Sequence, residues 1–371
     1  MRAASIATAG RRPWRGAAIA LVAVVLGGCA APRLTMVYGG VDPIDDGRVW
    51  PSVQSGEVPR YRYVGELTGE TNFVDADGAD PAALARKVLA IVAGLAEKPV
   101  AQDVLQRPQG GYTDAAGRVF VTDVSRKAVF VFDAPAGKLA VWEQAAPGER
   151  FGAPIAVAPG RDGELLVTDA DRGEVFRLAV DDGRPLGRFG KDVLARPTGV
   201  VRDPRARRVY VADARAHVVR VFDDDGAVVG TIGDAVGGGD GRPGFNAPLH
   251  LAFADGSLYV VDGLDSRVVV VDPSGRERST IGKRGLYVGN LVRPKGVAVD
   301  DEQNVYVVES MHDRLLVFDG EGRLLMSIGG TGRDVGRFYL PAGVWVDARN
   351  RVYVADMFNG RVVVFQFLGG S

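Results

Sequence analysis

Between residues 105 and 371 the chain repeats one pattern six times, and this repetition limits the fold more than any other feature. The unit is clearest at 293–329. Four short apolar runs (GVAV, VYVV, LLVF and LLMSI) are separated there by the turn residues DDEQN, ESMHD and DGEG. Val, Ile, Tyr and Phe in short runs between turn residues predict four antiparallel strands. A single sheet of this kind cannot bury both faces, so it needs copies beside it. Two anchors make the copies countable. A large apolar residue stands three places before a proline at Leu105/Pro108, Phe151/Pro154, Leu194/Pro197, Phe245/Pro248, Leu291/Pro294 and Phe338/Pro341. An acid closes each second strand: Asp123, Asp169, Asp213, Asp262, Glu309 and Asp356, spaced 46, 44, 49, 47 and 47 residues apart. A four-stranded unit at this period predicts an all-β fold, a six-bladed β-propeller.

The last unit has three apolar runs and lacks a fourth. Residues 60–69 (RYRYVGELTG) have the shape of the fourth-strand segments VVGTIGD at 228–234 and LMSIGG at 325–330. We therefore expect this N-terminal strand to complete blade six and close the ring, removing unpaired edges. An insertion follows at 70–104. Asp80-Pro81 offers an N-cap with proline at the first helical position, and Leu84, Val88, Ile91, Val92 and Leu95 share one face. This predicts an inserted α-helix at about 80–98, packed on the rim of blades six and one. A lid over the channel or a docking helix is the functional alternative.

The N-terminus reads as a targeting segment. Arg2, Arg11, Arg12 and Arg15 precede an uncharged run of 13 residues at 16–28, too short for the ~20 residues of a membrane-spanning helix. Leu26-Gly27-Gly28-Cys29 then resembles a bacterial lipobox. We expect a lipoprotein signal peptide at 1–28, lipidation at Cys29, and a flexible tether at 29–58 ahead of a propeller domain at 59–371. From sequence alone Trp50, within the tether, either docks or stays exposed. Ala30 after the cysteine suggests the outer membrane of a bacterial cell envelope by resemblance to lipoprotein sorting signals. Cys29 is the only cysteine, so no disulfide forms within the chain. Without the signal, 41 basic residues face 46 acidic ones, net −5. That balance gives no footprint for nucleic acid.

The units resemble the NHL repeat. LPAGVWVD at 340–347 and RVYVADMFNGRVVVF at 351–365 show its P-x-G-V-A-V-D, V-Y-V-A-D and N-x-R-V-x-V-F elements. The resemblance covers all six units and implies the six-bladed propeller. Some NHL-like propellers are lyases holding zinc with three converging histidines. This chain has three histidines in all. His250 opens an innermost strand, whereas His217 and His312 lie in turns. Gluconolactonase-like propellers hold a divalent ion with channel carboxylates and asparagines. The matching positions here are Gln109, Ile155, Thr198, Leu249, Lys295 and Ala342, none of them suitable. No metal or cofactor is therefore expected. The run Gly237–Gly241 does not join a strand to a helix, so it reads as a flexible loop and not a phosphate cradle. Acid–arginine pairs recur at Asp262/Arg267, Glu309/Arg314 and Asp356/Arg361 and read as structural ion pairs.

These features point to a non-catalytic binding or scaffolding module, a monomeric domain held to the membrane by lipid. One propeller face would contact an envelope protein or a glycan. The expected focal residues are Gln109, Thr198, His250 and Lys295, supported by the loop at 233–245. The alternative is a metal-dependent lyase or lactonase-like enzyme using the central channel, with His250 as first ligand.

Overall fold

The computed structural model describes residues 34–39, 48–75, 103–239 and 242–369. Six antiparallel sheets follow one another around a ring, each running from an innermost strand to an outer edge. Blades one to five comprise residues 108–142, 154–189, 197–232, 248–281 and 294–329. Blade six takes its three inner strands from 344–367 and its fourth from Tyr61–Leu67. That strand pairs antiparallel with Arg361–Phe367, Tyr61 opposite Phe367 and Leu67 opposite Val362. The chain is a six-bladed β-propeller, and its ring closes through the N-terminal strand.

The six apolar anchors are all buried. Each fills the space below the loop that brings the chain from one blade to the next. Gly282, at φ +76, ends blade four's last strand, and a side-chain carbon there would lie 2.4 Å from Leu291. The anchor thus occupies the volume the glycine vacates, in a conformation glycine adopts without strain. The glycine of the P-x-G motif has a second cause. A Cβ on Gly343 would stand 2.2 Å from the Gln109 carbonyl oxygen, because innermost strands of neighbouring blades approach closely at the hub.

The expected tether is corrected at its described residues. Leu34–Met36 pairs with Phe73–Asp75, and Val49–Trp50 adds a fifth strand outside Tyr61–Leu67. Trp50 packs edge-on against Phe365 at 5.4 Å. The segment holds because Tyr38 and Trp50 bring apolar rings to blade six, and Arg351 lies over the Tyr38 ring. Cys29, the signal segment and the helix expected at about 80–98 lie outside the described residues. The loop at 233–245 departs from a structureless connection, since Asp234–Gly239 pairs with Arg242–Gly244 as a hairpin.

Candidate functional site

The acids closing the second strands organise one face of the ring. Each is buried, and a buried carboxylate must be met by donors. In blades one to three backbone amides meet it. Asp123 accepts from Gln106 and Arg107 ahead of its blade, and from Ser125 and Arg126 in its turn. Asp169 does the same with Gly152, Ala153, Asp171 and Arg172. The acid therefore pins the incoming loop to the turn between strands two and three.

Blades four and six add a charged partner. Arg267 reaches Asp262 at 3.0 Å and Arg361 reaches Asp356 at 2.8 Å, as the spacing predicts. Burial raises the pKa of both Asp262 and Asp356 against these partners. Arg361 also binds Glu66 on the N-terminal strand at 2.6 Å, so it ties the closing strand to the turn. The expected pair Glu309/Arg314 does not form. Glutamate is one methylene longer, and its carboxylate takes the Met311 and His312 amides and the His312 ring at 2.7 Å. Arg314 turns to the Ser327 hydroxyl at 3.1 Å.

The four focal residues lie on the first strands of four different blades. Thr198 is buried, its hydroxyl 3.3 Å from the carbonyls of Ala212 and Pro248. It stitches blade three to blade four and is corrected from a binding position to a structural one. His250 stands where most units carry glycine. Its Nδ1 accepts the Val297 amide of blade five at 3.4 Å, and burial lowers its pKa to about 4. It is thus a neutral inter-blade contact at physiological pH. Gln109 donates to its own neighbours, the carbonyls of Arg107 and Pro108, each at 3.4 Å. Lys295 is half-buried and forms no ion pair among the described residues. Burial, then the charge of Arg293, pushes its pKa down. The other two histidines are also committed: His217 Nδ1 accepts the Ala247 amide at 3.1 Å, and His312 holds Glu309. Among the described residues no three of His, Cys, Asp and Glu gather as a metal-ligand set.

The same face carries a feature that focal residues alone do not reveal. The residue two places after each acid tips the turn outward. In blades one to three it is Ser125, Asp171 and Arg215; in blades four to six it is Leu264, Met311 and Phe358. These three are 60%, 59% and 45% exposed. Loops between them continue the apolar surface. Leu286, Tyr287 and Val288 lie ahead of blade five, with Tyr287 85% exposed. Tyr339 lies ahead of blade six with its ring 5.6 Å from Phe358. Arg284 donates to the Leu264 carbonyl, and Arg107 lies 5.1 Å above the Phe358 ring. Exposed apolar side chains thus recur on the turns and entering loops of three successive blades, an arc over half the ring. The other half bears ion pairs such as Arg172–Glu149 at 2.8 Å and Arg126–Asp103 at 2.5 Å. Aligning the residue two places after each acid across the six units reads this asymmetry from sequence.

Beside blade six, Arg48, Tyr63, Glu66, Arg333, Arg337 and Arg361 help line a polar cleft of about 530 Å³. A shallower hollow of about 220 Å³ lies by Tyr38, Asp347 and Arg351.

Comparison with known proteins bears on the fold. A family model described as a 6-bladed beta-propeller matches residues 290–371. No curated protein matches the sequence. Among solved structures, a structural genomics protein of unknown function from Bacteroides thetaiotaomicron superposes with a TM-score of 0.57 at 14% identity, covering 73% of this chain and 71% of that one. An auxiliary nutrient binding protein from the same organism gives 0.54 at 13%, covering 71% and 70%. Virginiamycin B lyase from Staphylococcus aureus gives 0.50 at 12%, covering 71% and 96%. What these neighbours share with the chain is the propeller. Their printed roles range from binding to catalysis, as one fold can host many functions.

Proposed function

We propose that this propeller is a non-catalytic binding module, anchored to a bacterial envelope by lipid on Cys29, that contacts a partner protein through one half of one face. The observation that carries the reading is the exposed arc Leu264, Met311 and Phe358, set at equivalent places in three successive blades. Contiguous exposed apolar surface with a polar surround marks interaction sites. The aromatic and methionine side chains here are those enriched at protein interfaces. A protein suits this surface better than a glycan, because the arc offers more apolar area than hydrogen-bonding groups. Arg107 supplies a cation over the Phe358 ring. The NHL resemblance and the outer-membrane location belong to the same proposal.

The enzyme alternative draws its support from the lyase among the structural neighbours. It needs ligands in the channel, and His250 is instead spent on Val297.

Two experiments test the reading. Cross-linked pull-down of the full-length protein from native membranes should recover one envelope partner with the unaltered chain, and lose it in Met311→Asp and Phe358→Asp. Equal recovery by both variants would remove the arc from the interface. Incorporation of a labelled fatty acid should occur in the unaltered chain and vanish in Cys29→Ser. Labelling that survives the substitution contradicts the anchor.

A further inference from the structure

The outer strand of a propeller blade has an open hydrogen-bonding edge, which proteins usually blunt with charge, proline or a covering element. Four blades here do so, blade one with Lys138 at the head of its edge strand, Lys138–Trp142. Blade four's edge, Glu277–Ile281, reads ERSTI, and blade two's, Pro185–Phe189, reads PLGRF. Blade six's edge is covered by Val49–Trp50. Blade three's edge, Val228–Ile232, is interrupted by Gly230 and runs into a hairpin. Blade five's edge, Leu324–Gly329, reads LLMSIG, with no charge and no proline, and Leu324 and Leu325 are exposed.

The chain also shows what fits such an edge. The loops entering blades five and six, 282–291 and 329–338, share one geometry. Each closes with a parallel bridge, Arg284 to Leu291 and Thr331 to Phe338. Gly289 and Gly336 occupy equivalent places in the two. At blade six the fifth strand covers this place. A Cβ on Gly336 would lie 2.2 Å from the Trp50 ring, and Arg48 donates to the Val335 carbonyl at 3.0 Å. Trp50 stands opposite Tyr61 in the ladder. At blade five the matching glycine faces the edge strand itself, its Cβ position 3.1 Å from Leu324. The adjoining Leu286, Tyr287 and Val288 are exposed.

We propose that the edge of blade five is a peptide-binding site. An extended segment of a partner protein, carrying a large aromatic residue, adds antiparallel to Leu324–Met326 as a fifth strand. Its aromatic ring packs against Leu324, which covers Gly289, and beside the exposed Leu286–Val288. Backbone hydrogen bonds supply the affinity and the aromatic side chain the selectivity. The site shares Leu286–Val288 with the apolar surface described above and does not use Leu264, Met311 or Phe358.

The test uses the full chain and a synthetic peptide with the sequence of residues 47–53, GRVWPSV, the segment that fits the equivalent place. Hydrogen exchange followed by mass spectrometry reads the edge directly. The expected result is slowed exchange over 324–329 that saturates with peptide. It should weaken at least about tenfold for Leu325→Lys, for Leu286→Ser, and for a peptide with its tryptophan replaced by alanine. Leu286→Ser leaves the strand untouched, so loss there is not a folding defect. The proposal is overturned by unchanged exchange over 324–329 at saturating peptide. Protection confined to Tyr61–Leu67 overturns it too, since the peptide then only displaces the chain's own fifth strand. Concentration-dependent dimers with the same protection and no peptide would overturn it in favour of a second copy of the chain.

Discussion

Blades one to three and blades four to six solve one problem in two ways. Both halves bury an acid at the end of the second strand and use it to pin the incoming loop. In the first half neutral amides satisfy the carboxylate, and the turn above it is polar. In the second half arginine or histidine joins the amides, and the turn exposes Leu264, Met311 or Phe358. The repeat supplies its own control: a fold that needs only the pinning would look alike all round. The asymmetry therefore separates what holds the ring together from what the ring presents outward.

The largest test of this contrast is Arg361→Met. It leaves Asp356 buried without its cation and frees Glu66 on the closing strand. Breaking a buried pair from one side costs about 3–5 kcal/mol. Denaturant unfolding should show that loss, with the ring opening at blade six. The matching change in the first half, Asp169→Asn, keeps the shape but turns an amide toward backbone N–H donors. It should cost about 2–3 kcal/mol, and the two losses should add because the sites are far apart. A larger loss for Asp169→Asn than for Arg361→Met would reverse the ranking of the halves.

A smaller effect depends on pH. Only blade four places a titratable ring at the hub position, His250, whose pKa falls from 6.5 to about 4. Between those values the unfolded chain binds a proton that the folded one refuses, so stability drops as pH falls through this window. We expect a loss of about 1–3 kcal/mol by pH 4, and His250→Gln should flatten that slope. An unchanged slope would mean that other groups govern the acid limb. The smallest effect is on the arc. Phe358→Ser should change stability by about 0.5 kcal/mol or less, while thermal melting stays otherwise unaltered. A larger loss would mean that Phe358 is a packing residue and not a presented one.

The fold was legible because its signals are local and repeated. Period, apolar anchors and closing acids identify six blades, and the missing fourth strand of the last unit points to residues 60–69. The site was less legible because position on a strand does not say what a side chain touches. Thr198 and His250 sit at the hub mouth by register, yet blade-to-blade contacts consume both. Glu309 differs from its aspartate counterparts by one methylene, enough to reroute Arg314. The segment around Trp50 lacks periodicity, and its docking depends on an aromatic contact with Phe365, 315 residues away in sequence. The exposed arc was readable, but only by aligning turns unit against unit.

The most direct test of the central claim places a photo-cross-linking amino acid, one position at a time, at 125, 171, 215, 264, 311 and 358. These are the six equivalent turn positions. After irradiation in native membranes, the account predicts one shared partner band at 264, 311 and 358 and none at 125, 171 and 215. A band spread evenly over all six, or confined to the first three, would contradict it.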